Sequence, residues 1–324
     1  MLPKKLLFLV VLCSLEPLMA QEYIESKLSI GFFRPNPKKF VIVWFENQNT
    51  NGLLNPNLAP FINSEVLPIS ATVIEHYGTV QSQPNYIVSI CGDNRGIVSN
   101  SRCLGCVSGE DNLVSALDRV GKSTVGYFGG ITEGVCPTED ITGSGYVTRH
   151  NPLISLAYVV RNPQNPRYCE EHHRPLSKFQ DDLDRGGIPD FSIVVPSNFD
   201  NMHDRGIRSG DDWLKTFLPG VLKSALYQKG DLVVVLNWDE GVIDAGPTIF
   251  VLISPYVKKG EKSGLGYQST TRGNQVSVFK FTAKVLLGAD APMYGDAVKT
   301  EIPDYGDLLD PFRLMFQRSS RIFW

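Results

Sequence analysis

The sequence of 324 residues has little net charge, few cysteines and no internal repeat. Its 31 lysines and arginines nearly balance 34 aspartates and glutamates, which leaves a net charge of −3. A nucleic-acid-binding surface needs clustered cations to neutralise phosphates, so this balance argues against nucleic acid as the main partner. With 6 cysteines and 42% hydrophobic residues, the chain is neither a disulfide-rich miniprotein nor a disordered segment. It is long enough to bury a substantial apolar core.

Only the N-terminus contains an apolar run that raises the question of a membrane. Lys4 and Lys5 precede the apolar run 6–13, and a small residue, Ala20, follows. A basic start, a short apolar centre and a small final residue predict a secretory signal peptide over residues 1–20. A retained signal anchor is the alternative, but the run falls short of the roughly 20 residues that span a bilayer. We therefore expect a secreted, extracellular protein with no stable membrane insertion.

Cysteine usage agrees with export. Cleavage would leave five cysteines, namely Cys91, Cys103, Cys106, Cys136 and Cys169. Five cannot all pair within one chain, so at least one is free or pairs between molecules. The spacing of Cys103 and Cys106 is that of a redox or zinc motif, but there is no matching second pair and no nearby histidine. In an oxidising compartment, structural disulfide bonds are the expected outcome.

Short apolar runs alternate with amphipathic segments along the chain. Buried strands are predicted at 40–45, 124–128, 191–195, 232–236 and 249–253. Helices are predicted at 111–118, 176–183, 213–227 and 276–287, and residues 259–274 read as a Gly/Ser/Thr-rich loop. This alternation predicts an α/β fold with a largely parallel central sheet sandwiched between helices. We expect one domain over residues 21–324, with an irregular tail after about residue 300.

Polar side chains follow three of the predicted strands. The first strand runs into Glu46 and Asn47, the fourth continues through Trp238 directly into Asp239 and Glu240, and His203 comes shortly after the third. In open α/β sheets, sites collect at the carboxyl ends of strands. Carboxylate and amide oxygens suit a divalent metal ion, and such an ion suits a phosphate substrate. The alternative is that these acids cap the following helices.

Two further segments carry candidate functional residues. Ser82 stands on the turn before a predicted helix start at Pro84, where its hydroxyl could meet a bound anion. The alternative role for Ser82 is a simple helix N-cap. His150 follows Arg149 and precedes an asparagine, a basic pair that could hold phosphate oxygens. His172 and His173 lie in a charged stretch and are expected at the surface.

The ordered set of motifs resembles the secreted acid phosphatase and phospholipase C phosphoesterase family of the alkaline-phosphatase-like superfamily. Eight segments, spread over some 220 residues in the family's order, carry the resemblance. They begin at Val43, Ser82, Arg149, Ile188, Asn201, Gly210, Trp238 and Leu252. The resemblance implies an alkaline-phosphatase-like fold and a hydrolytic site at the strand ends.

The resemblance also implies a role for each candidate residue. Glu46, Asn47, Asp239 and Glu240 would hold a divalent metal ion of unknown identity. Ser82 would be the nucleophile that forms a phosphoserine intermediate, a role in which a hydroxyl needs a metal or a base to remove its proton. His150 and His203 would position the phosphate or protonate the leaving group, and protonated imidazoles would fit an acid optimum.

Two positions depart from the family pattern. Val80 and Gln81 stand where the family usually has His-Pro before the nucleophile, and Gln275 stands where a histidine is expected. Glutamine can donate a hydrogen bond but cannot transfer a proton, and losing a general acid costs about 10²- to 10⁴-fold in rate. The leading hypothesis is a secreted acid phosphatase acting on small phosphomonoesters. A phospholipase C-type phosphodiesterase and a catalytically impaired secreted binding protein are the alternatives.

Overall fold

The computed structural model describes residues 38–310, apart from residues 80, 244 and 261–265. The predicted signal peptide, Val80 and the end of the predicted tail therefore lie outside the described residues. Within that range, no helix is long and apolar enough to cross a membrane. The secreted location and the domain limits stay predictions.

The described residues form one eight-stranded sheet. Its strands are β1 (Lys39–Phe45), β2 (Ala71–Tyr77), β3 (Thr124–Phe128), β4 (His173–Pro175), β5 (Phe191–Val195), β6 (Leu232–Trp238), β7 (Thr248–Ile253) and β8 (Tyr267–Asn274). Their order across the sheet is β4-β3-β5-β1-β6-β7-β2-β8. Strand β7 runs antiparallel to both of its neighbours, whereas the other pairings are parallel. The predicted α/β class with a largely parallel sheet is confirmed, although the sheet is mixed.

Helices cover both faces of this sheet. The α-helices are α1 (Thr50–Leu53), α2 (Ser82–Cys91), α3 (Leu113–Asp118), α4 (Pro152–Ser155), α5 (Ala157–Val160), α6 (Tyr168–Glu171), α7 (Phe179–Asp184), α8 (Gly206–Lys223), α9 (Ala225–Gln228) and α10 (Gln275–Leu287). A π-helical turn spans Ile62–Val66, and 3₁₀ turns span Leu67–Ile69, Thr142–Ser144, Thr148–His150, Leu176–Lys178, Gly295–Val298 and Gly306–Leu308.

Strand β1 shows how the two layers arise. Successive side chains of a strand point to opposite faces, and all but the first residue of β1 are buried. Phe40, Ile42 and Trp44 pack into one apolar cluster with helices α2, α3 and α10. Val41, Val43 and Phe45 pack into a second cluster with helices α7 and α8. The predicted sandwich of sheet between helices is confirmed.

The sequence-based assignments miss some elements and misplace others. The five predicted strands are present, but β2, β4 and β8 were not predicted, and residues 267–274 form a strand rather than a loop. The helix predicted at 213–227 begins at Gly206 and is interrupted at Ser224, whose side chain accepts from the Tyr227 N–H and so starts a separate helix. The segment predicted as one helix at 176–183 is a 3₁₀ turn followed by α7.

Two disulfide bonds join Cys103 to Cys106 and Cys136 to Cys169. The expected structural disulfides are thereby confirmed, and a redox or zinc role for the Cys103–Cys106 pair is not needed. Cys91 is the unpaired thiol among the described cysteines, and it is buried. Burial raises the pKa of Cys91 to about 12, which keeps it protonated.

The described part of the predicted tail packs against the core. Tyr305 and Leu308 are fully buried. The Tyr305 hydroxyl lies 2.6 Å from Nδ1 of His76, at the end of β2. The segment around Tyr305 is therefore part of the packed structure, although its backbone is largely irregular as expected.

Candidate active site

The carboxyl ends of β1 and β6 lie side by side. The two strands are parallel neighbours, and their last residues, Phe45 and Trp238, are paired in register. Glu46 and Asn47 leave one strand where Asp239 and Glu240 leave the other. All three carboxylates are buried, with Glu46 and Asp239 fully inaccessible. The predicted convergence of these residues at one sheet edge is confirmed.

Asn47 links the two strand ends. Its backbone N–H donates to Oδ1 of Asp239 at 3.0 Å, and its side-chain amide donates to Oε1 of Glu240 at 2.9 Å. The residue has a positive φ of 47°, a conformation that asparagine tolerates better than most residues. None of Glu46, Asp239 and Glu240 caps a helix, because α1, which follows β1, has Asn49 at its N-cap position, and the next described element after β6 is strand β7. The helix-capping alternative for the strand-end acids is wrong.

Ser82 is the first residue of α2. Its hydroxyl lies 3.1 Å from Oε2 of Glu46 and 3.2 Å from Oε1 of Glu240, so it can donate to either carboxylate. Gln81 occupies the N-cap position, so the alternative of Ser82 as a simple N-cap is wrong. The helix begins at Ser82 rather than at Pro84, and the serine is buried against the two acids.

His150 and His203 lie next to one another at the same edge. Their ring centroids are 5.6 Å apart. Nε2 of the buried His150 lies 3.3 Å from Oε2 of Glu46, and its Nδ1 lies 3.0 Å from Oδ1 of Asn198. Asn198 therefore favours the tautomer with the proton on Nδ1, which leaves the Nε2 lone pair facing the carboxylates.

His203 is partly exposed and has polar partners on both ring nitrogens. A guanidinium nitrogen of Arg149 lies 3.3 Å from its Nε2, and its Nδ1 lies 2.7 Å from Oδ1 of Asp204. Because a guanidinium only donates, Nε2 accepts from Arg149 and Nδ1–H donates to Asp204. Among the described residues, Arg149 forms no ion pair with a carboxylate, which leaves its charge directed to this edge.

The three carboxylates destabilise one another's charged forms. Burial, and then repulsion from Asp239, raise the pKa of Glu46 well above its usual range. Burial and the same neighbour raise the pKa of Glu240 to about 8. Burial also raises the pKa of Asp239, although several donors oppose the shift. A group of buried acids of this kind favours either bound protons or a bound cation.

Burial lowers the pKa of an imidazole, whereas it raises the pKa of a carboxyl group. It lowers the pKa of His150 well below its usual range, and the positive Arg149 and neighbouring His203 add to the effect. The expectation of a protonated imidazole at mildly acid pH is therefore wrong for His150. His203, with an accessible edge, is the imidazole that is open to solvent.

Gln275 supports the site from behind. Its side-chain amide donates to the carbonyls of Trp238 and Asp239 at 2.9 and 2.8 Å, and its Oε1 accepts from Asn237 at 3.0 Å. These three bonds use the polar atoms of the side chain, so Gln275 does not present an amide to a phosphate in this arrangement. It holds the end of β6 instead.

The other histidines differ from their predicted surroundings. His173, expected at the surface, is buried, and burial lowers its pKa to about 4. His172 is partly buried, and its ring stacks on Tyr168 at 3.7 Å. His76 is fully buried beside Tyr305, and burial lowers its pKa to about 3. None of the three reaches the carboxylate edge through the contacts described above.

The donor chemistry at the edge fits a hard cation. It comprises three carboxylates, one side-chain amide and one hydroxyl, and Oδ2 of Asp239 is buried without a hydrogen-bond donor. Across residues 38–310, outside the short gaps, no three His, Cys, Asp or Glu side chains are already arranged to hold a metal ion.

Sequence patterns alone assign no role to Tyr86. Its hydroxyl donates to Oε1 of Glu46, and its fully buried ring stacks on Trp44. Burial and the neighbouring Glu46 raise the pKa of Tyr86 well above its usual range. The signal was available, because Tyr86 follows Ser82 by four residues, a spacing that places both on one helix face.

Family and sequence comparisons agree with this geometry. The model of the Phosphoesterase family matches residues 70–281. The chain is 28% identical over 207 residues to a phosphate-repressible acid phosphatase from Penicillium chrysogenum, covering 63% of this chain and 48% of that protein. It is 27% identical over 203 residues to a phosphatidylinositol-3-phosphatase from Mycobacterium tuberculosis, covering 62% of each chain. The chain spans about half the length of most curated relatives it matches.

Solved structures share the fold. A protein in the alkaline phosphatase superfamily from Vibrio parahaemolyticus matches with a TM-score of 0.53 and 13% identity, over 82% of this chain and 71% of the other. Inactive murine ectonucleotide pyrophosphatase / phosphodiesterase 5 in complex with AMP matches with a TM-score of 0.52 and 10% identity, over 84% and 100% of the two chains. The resemblance drawn from the motifs is confirmed, as is the alkaline-phosphatase-like fold.

Proposed function

The chain belongs to the Phosphoesterase family, and from that membership we propose that it is a phosphoric ester hydrolase that releases inorganic phosphate from small phosphomonoesters. One observation carries the proposal, namely the Ser82 hydroxyl held 3.1 and 3.2 Å from two buried carboxylates at the edge of the sheet. Acid phosphatases among its relatives support the monoester assignment.

Ser82 is the nucleophile in this proposal. Its Oγ attacks phosphorus in line with the leaving oxygen, while its proton passes to whichever of Glu46 and Glu240 is ionised. The product of this step is a phosphoserine, which water then hydrolyses. A serine hydroxyl is a weak nucleophile without an adjacent base, and the two carboxylate oxygens are within hydrogen-bond reach.

Arg149, next to His203, supplies positive charge for the phosphate. Arg149 lies against His203, and among the described contacts neither bonds Glu46, Asp239 or Glu240, since the His203 partner is Asp204. The guanidinium offers a planar pair of donors suited to phosphate oxygens. Once Arg149 has moved from Nε2 of His203 to the substrate, that nitrogen can take up a proton from solvent and pass it to the leaving alkoxide. Burial keeps His150 neutral, so in this proposal it orients the phosphate but supplies no positive charge.

Glu46, Asn47, Asp239 and Glu240 would hold a divalent metal ion. When bound, such an ion lowers the pKa of the Ser82 hydroxyl and offsets the negative charge of the acids. Asn47 already bridges Asp239 and Glu240, so the amide and the acids stay together if its donor bonds are exchanged for metal ligation.

A second candidate substrate is a lipid phosphoester. Val242 and Ile243 follow Glu240 after one glycine and are 57% and 90% exposed. Large apolar side chains in that position offer contact to an acyl chain, the feature that a phospholipase C-type or lipid phosphatase activity requires. The mycobacterial relative, a phosphatidylinositol-3-phosphatase, supports this candidate.

Hydrolysis of a chromogenic phosphomonoester from acid to mildly alkaline pH tests the proposal, with wild type, Ser82→Ala and Ser89→Ala compared. Ser89 lies on the same helix and donates to the Tyr86 carbonyl at 2.7 Å, so it controls for helix disturbance. We expect Ser82→Ala to lose turnover and Ser89→Ala to keep it. A phosphoryl group trapped on Ser82, read by mass spectrometry, would identify the intermediate.

The other outcomes separate the alternatives. Activity that survives Ser82→Ala contradicts the nucleophile assignment. Hydrolysis of a lipid phosphoester but not of the soluble monoester selects the second candidate, and its loss in an Ile243→Ser variant ties that activity to the apolar pair. A silent wild type on every ester selects the catalytically impaired binding protein.

A further inference from the structure

Tyr86 and Ser82 act on the same carboxylate from the same helix. They are four residues apart on α2, so both side chains project from one helix face. Tyr86 donates its hydroxyl to Oε1 of Glu46, and Ser82 Oγ lies 3.1 Å from Oε2. The two oxygens of Glu46 are thereby distinguished, because each faces a different hydroxyl group.

The Tyr86 ring has little freedom to move. It is fully buried, and it stacks on Trp44 with ring centroids 4.2 Å apart. It also stacks on His150, with ring centroids 5.5 Å apart. Trp44 precedes Glu46 by two residues on β1, so the strand that carries the carboxylate also holds one face of the ring.

A clamped phenol fixes the rotation of the carboxylate it bonds. With Oε1 of Glu46 held by Tyr86, Oε2 is turned towards Ser82 Oγ at 3.1 Å and His150 Nε2 at 3.3 Å. Without the hydroxyl, the Glu46 carboxylate could rotate, and Oε1 would be buried without its donor. Active-site groups need support of this kind because a small misplacement lowers the rate sharply.

We infer that Tyr86 is a positioning residue, which holds the Glu46 carboxylate in the one rotation that presents Oε2 to the Ser82 hydroxyl. The inference rests on the proposed function, since it assigns a role in the reaction of Ser82. Tyr86 itself touches neither the reacting hydroxyl nor the phosphate in this assignment.

The chain offers a matched control for removing this hydroxyl. Tyr127 is also fully buried, and its hydroxyl donates to Oδ2 of a carboxylate, Asp182, at 3.0 Å. It belongs to the other apolar cluster, on the opposite face of the sheet from Tyr86. Tyr127→Phe and Tyr86→Phe therefore remove the same kind of hydrogen bond, one remote from the site and one inside it.

The experiment compares kcat, KM and melting temperature for wild type, Tyr86→Phe, Tyr127→Phe and Ser82→Ala, with the phosphoester that wild type hydrolyses best. We expect both phenylalanine variants to melt at lower temperature. We expect only Tyr86→Phe to lose kcat, by about 10- to 100-fold with KM changed less than about threefold, the pattern of an interaction used in the transition state.

Each result decides the question. If Tyr86→Phe keeps kcat within about twofold of wild type while Ser82→Ala is inactive, the positioning role is overturned and the nucleophile stands. If Tyr127→Phe loses kcat as much as Tyr86→Phe, the effect is general destabilisation and the role is also overturned. If Ser82→Ala remains active, the proposed function fails by a separate measurement.

A second variant covers a folding failure of Tyr86→Phe. Trp44→Phe keeps the Tyr86 hydroxyl but loosens the stack that holds its ring. We expect a smaller fall in kcat than in Tyr86→Phe, again at nearly constant KM. If a folded Trp44→Phe protein loses the stacking on Tyr86 but keeps the wild-type kcat, the proposed immobilisation of the Tyr86 ring is contradicted.

Discussion

Gln275 donates its side-chain amide to the backbone carbonyl of Asp239 at 2.8 Å, across 36 residues of chain. The first residue of helix α10 thus holds the end of strand β6, where the strand delivers its carboxylates. The same amide bonds the carbonyl of Trp238 at 2.9 Å. Two consecutive carbonyls leave the sheet ladder at this point, and Gln275 supplies the donors that buried carbonyls need.

Replacing Gln275 by leucine should therefore lower both stability and turnover. Leucine has similar volume but leaves two buried carbonyls and the Asn237 amide without partners, at about 1–3 kcal/mol for each unsatisfied group. Chemical denaturation and kcat measure the two effects. Ser277→Ala is the control, since Ser277 lies on the same helix and accepts from the Asn274 N–H in its capping box at 3.2 Å. A wild-type kcat in Gln275→Leu would show that the end of β6 keeps its position without the Gln275 hydrogen bonds.

Gly78 should not accept a methyl group. A Cβ built at Gly78 would lie 2.0 Å from the Asp239 carbonyl oxygen, so Gly78→Ala must push the ends of β2 and β6 apart. We expect a loss of about 1–3 kcal/mol, the usual range for overpacking, together with reduced kcat. Gly143→Ala is the control, because no atom lies within 4 Å of its Cβ position. Equal unfolding midpoints for the two variants would contradict the close approach of the Gly78 backbone to the Asp239 carbonyl.

A divalent cation should stabilise the protein through the carboxylates. We expect titration of chelator-treated protein with Mg²⁺, Mn²⁺, Ca²⁺ or Zn²⁺ to raise the melting temperature, by the equivalent of about 2.7 kcal/mol at 100 times the dissociation constant. Asp239→Asn should abolish the rise. Asp211→Asn should retain it, because Asp211 is a buried acid that accepts only from the backbone at Phe61 and Ile62. A rise that persists in Asp239→Asn would place the cation elsewhere.

Acid should destabilise the fold through His173. Its pKa falls from 6.5 to about 4 on burial, so below pH 6.5 the unfolded chain takes up a proton that the folded chain refuses. Stability is full above pH 6.5 and declines as pH falls towards 4, by on the order of 3 kcal/mol in total. His173→Asn should flatten this part of the stability profile, measured by urea unfolding at several pH values. An unchanged slope would contradict the assignment, and the exposed His203→Asn is the control.

Much of the fold follows from apolar runs in the sequence, and the missed strands show where that signal fails. Strands β1, β5 and β6 are buried on both faces and read as continuous apolar segments. Strand β8 is an edge strand with mostly exposed or half-exposed polar residues, so neither an apolar run nor clean alternation marks it. Strand β4 has three residues, too few for any period.

The site divides in the same way. Glu46, Ser82 and Asp239 were identified because motif spacing and strand ends place catalytic residue types together. The roles of Tyr86 and Gln275 depend on contacts across 36 or more residues of chain, which no local pattern encodes. The protonation of His150 follows from complete burial, a property that depends on the packed helices around it.

The contact between Tyr305 and His76 gives the region beyond residue 300 a practical significance for handling the protein. The Tyr305 ring packs on Phe250 of β7, with ring centroids 4.8 Å apart, and its hydroxyl lies 2.6 Å from Nδ1 of His76 on β2. The segment around Tyr305 therefore covers one face of β2 and β7. A shortened expression product that stops before residue 305 would expose that face of the sheet to solvent. The Phe250 ring and the His76 imidazole, both buried in the folded chain, would then be accessible. Cloning boundaries for crystallisation or display therefore belong beyond Asp310, whose backbone N–H donates to the Tyr256 carbonyl at 2.8 Å.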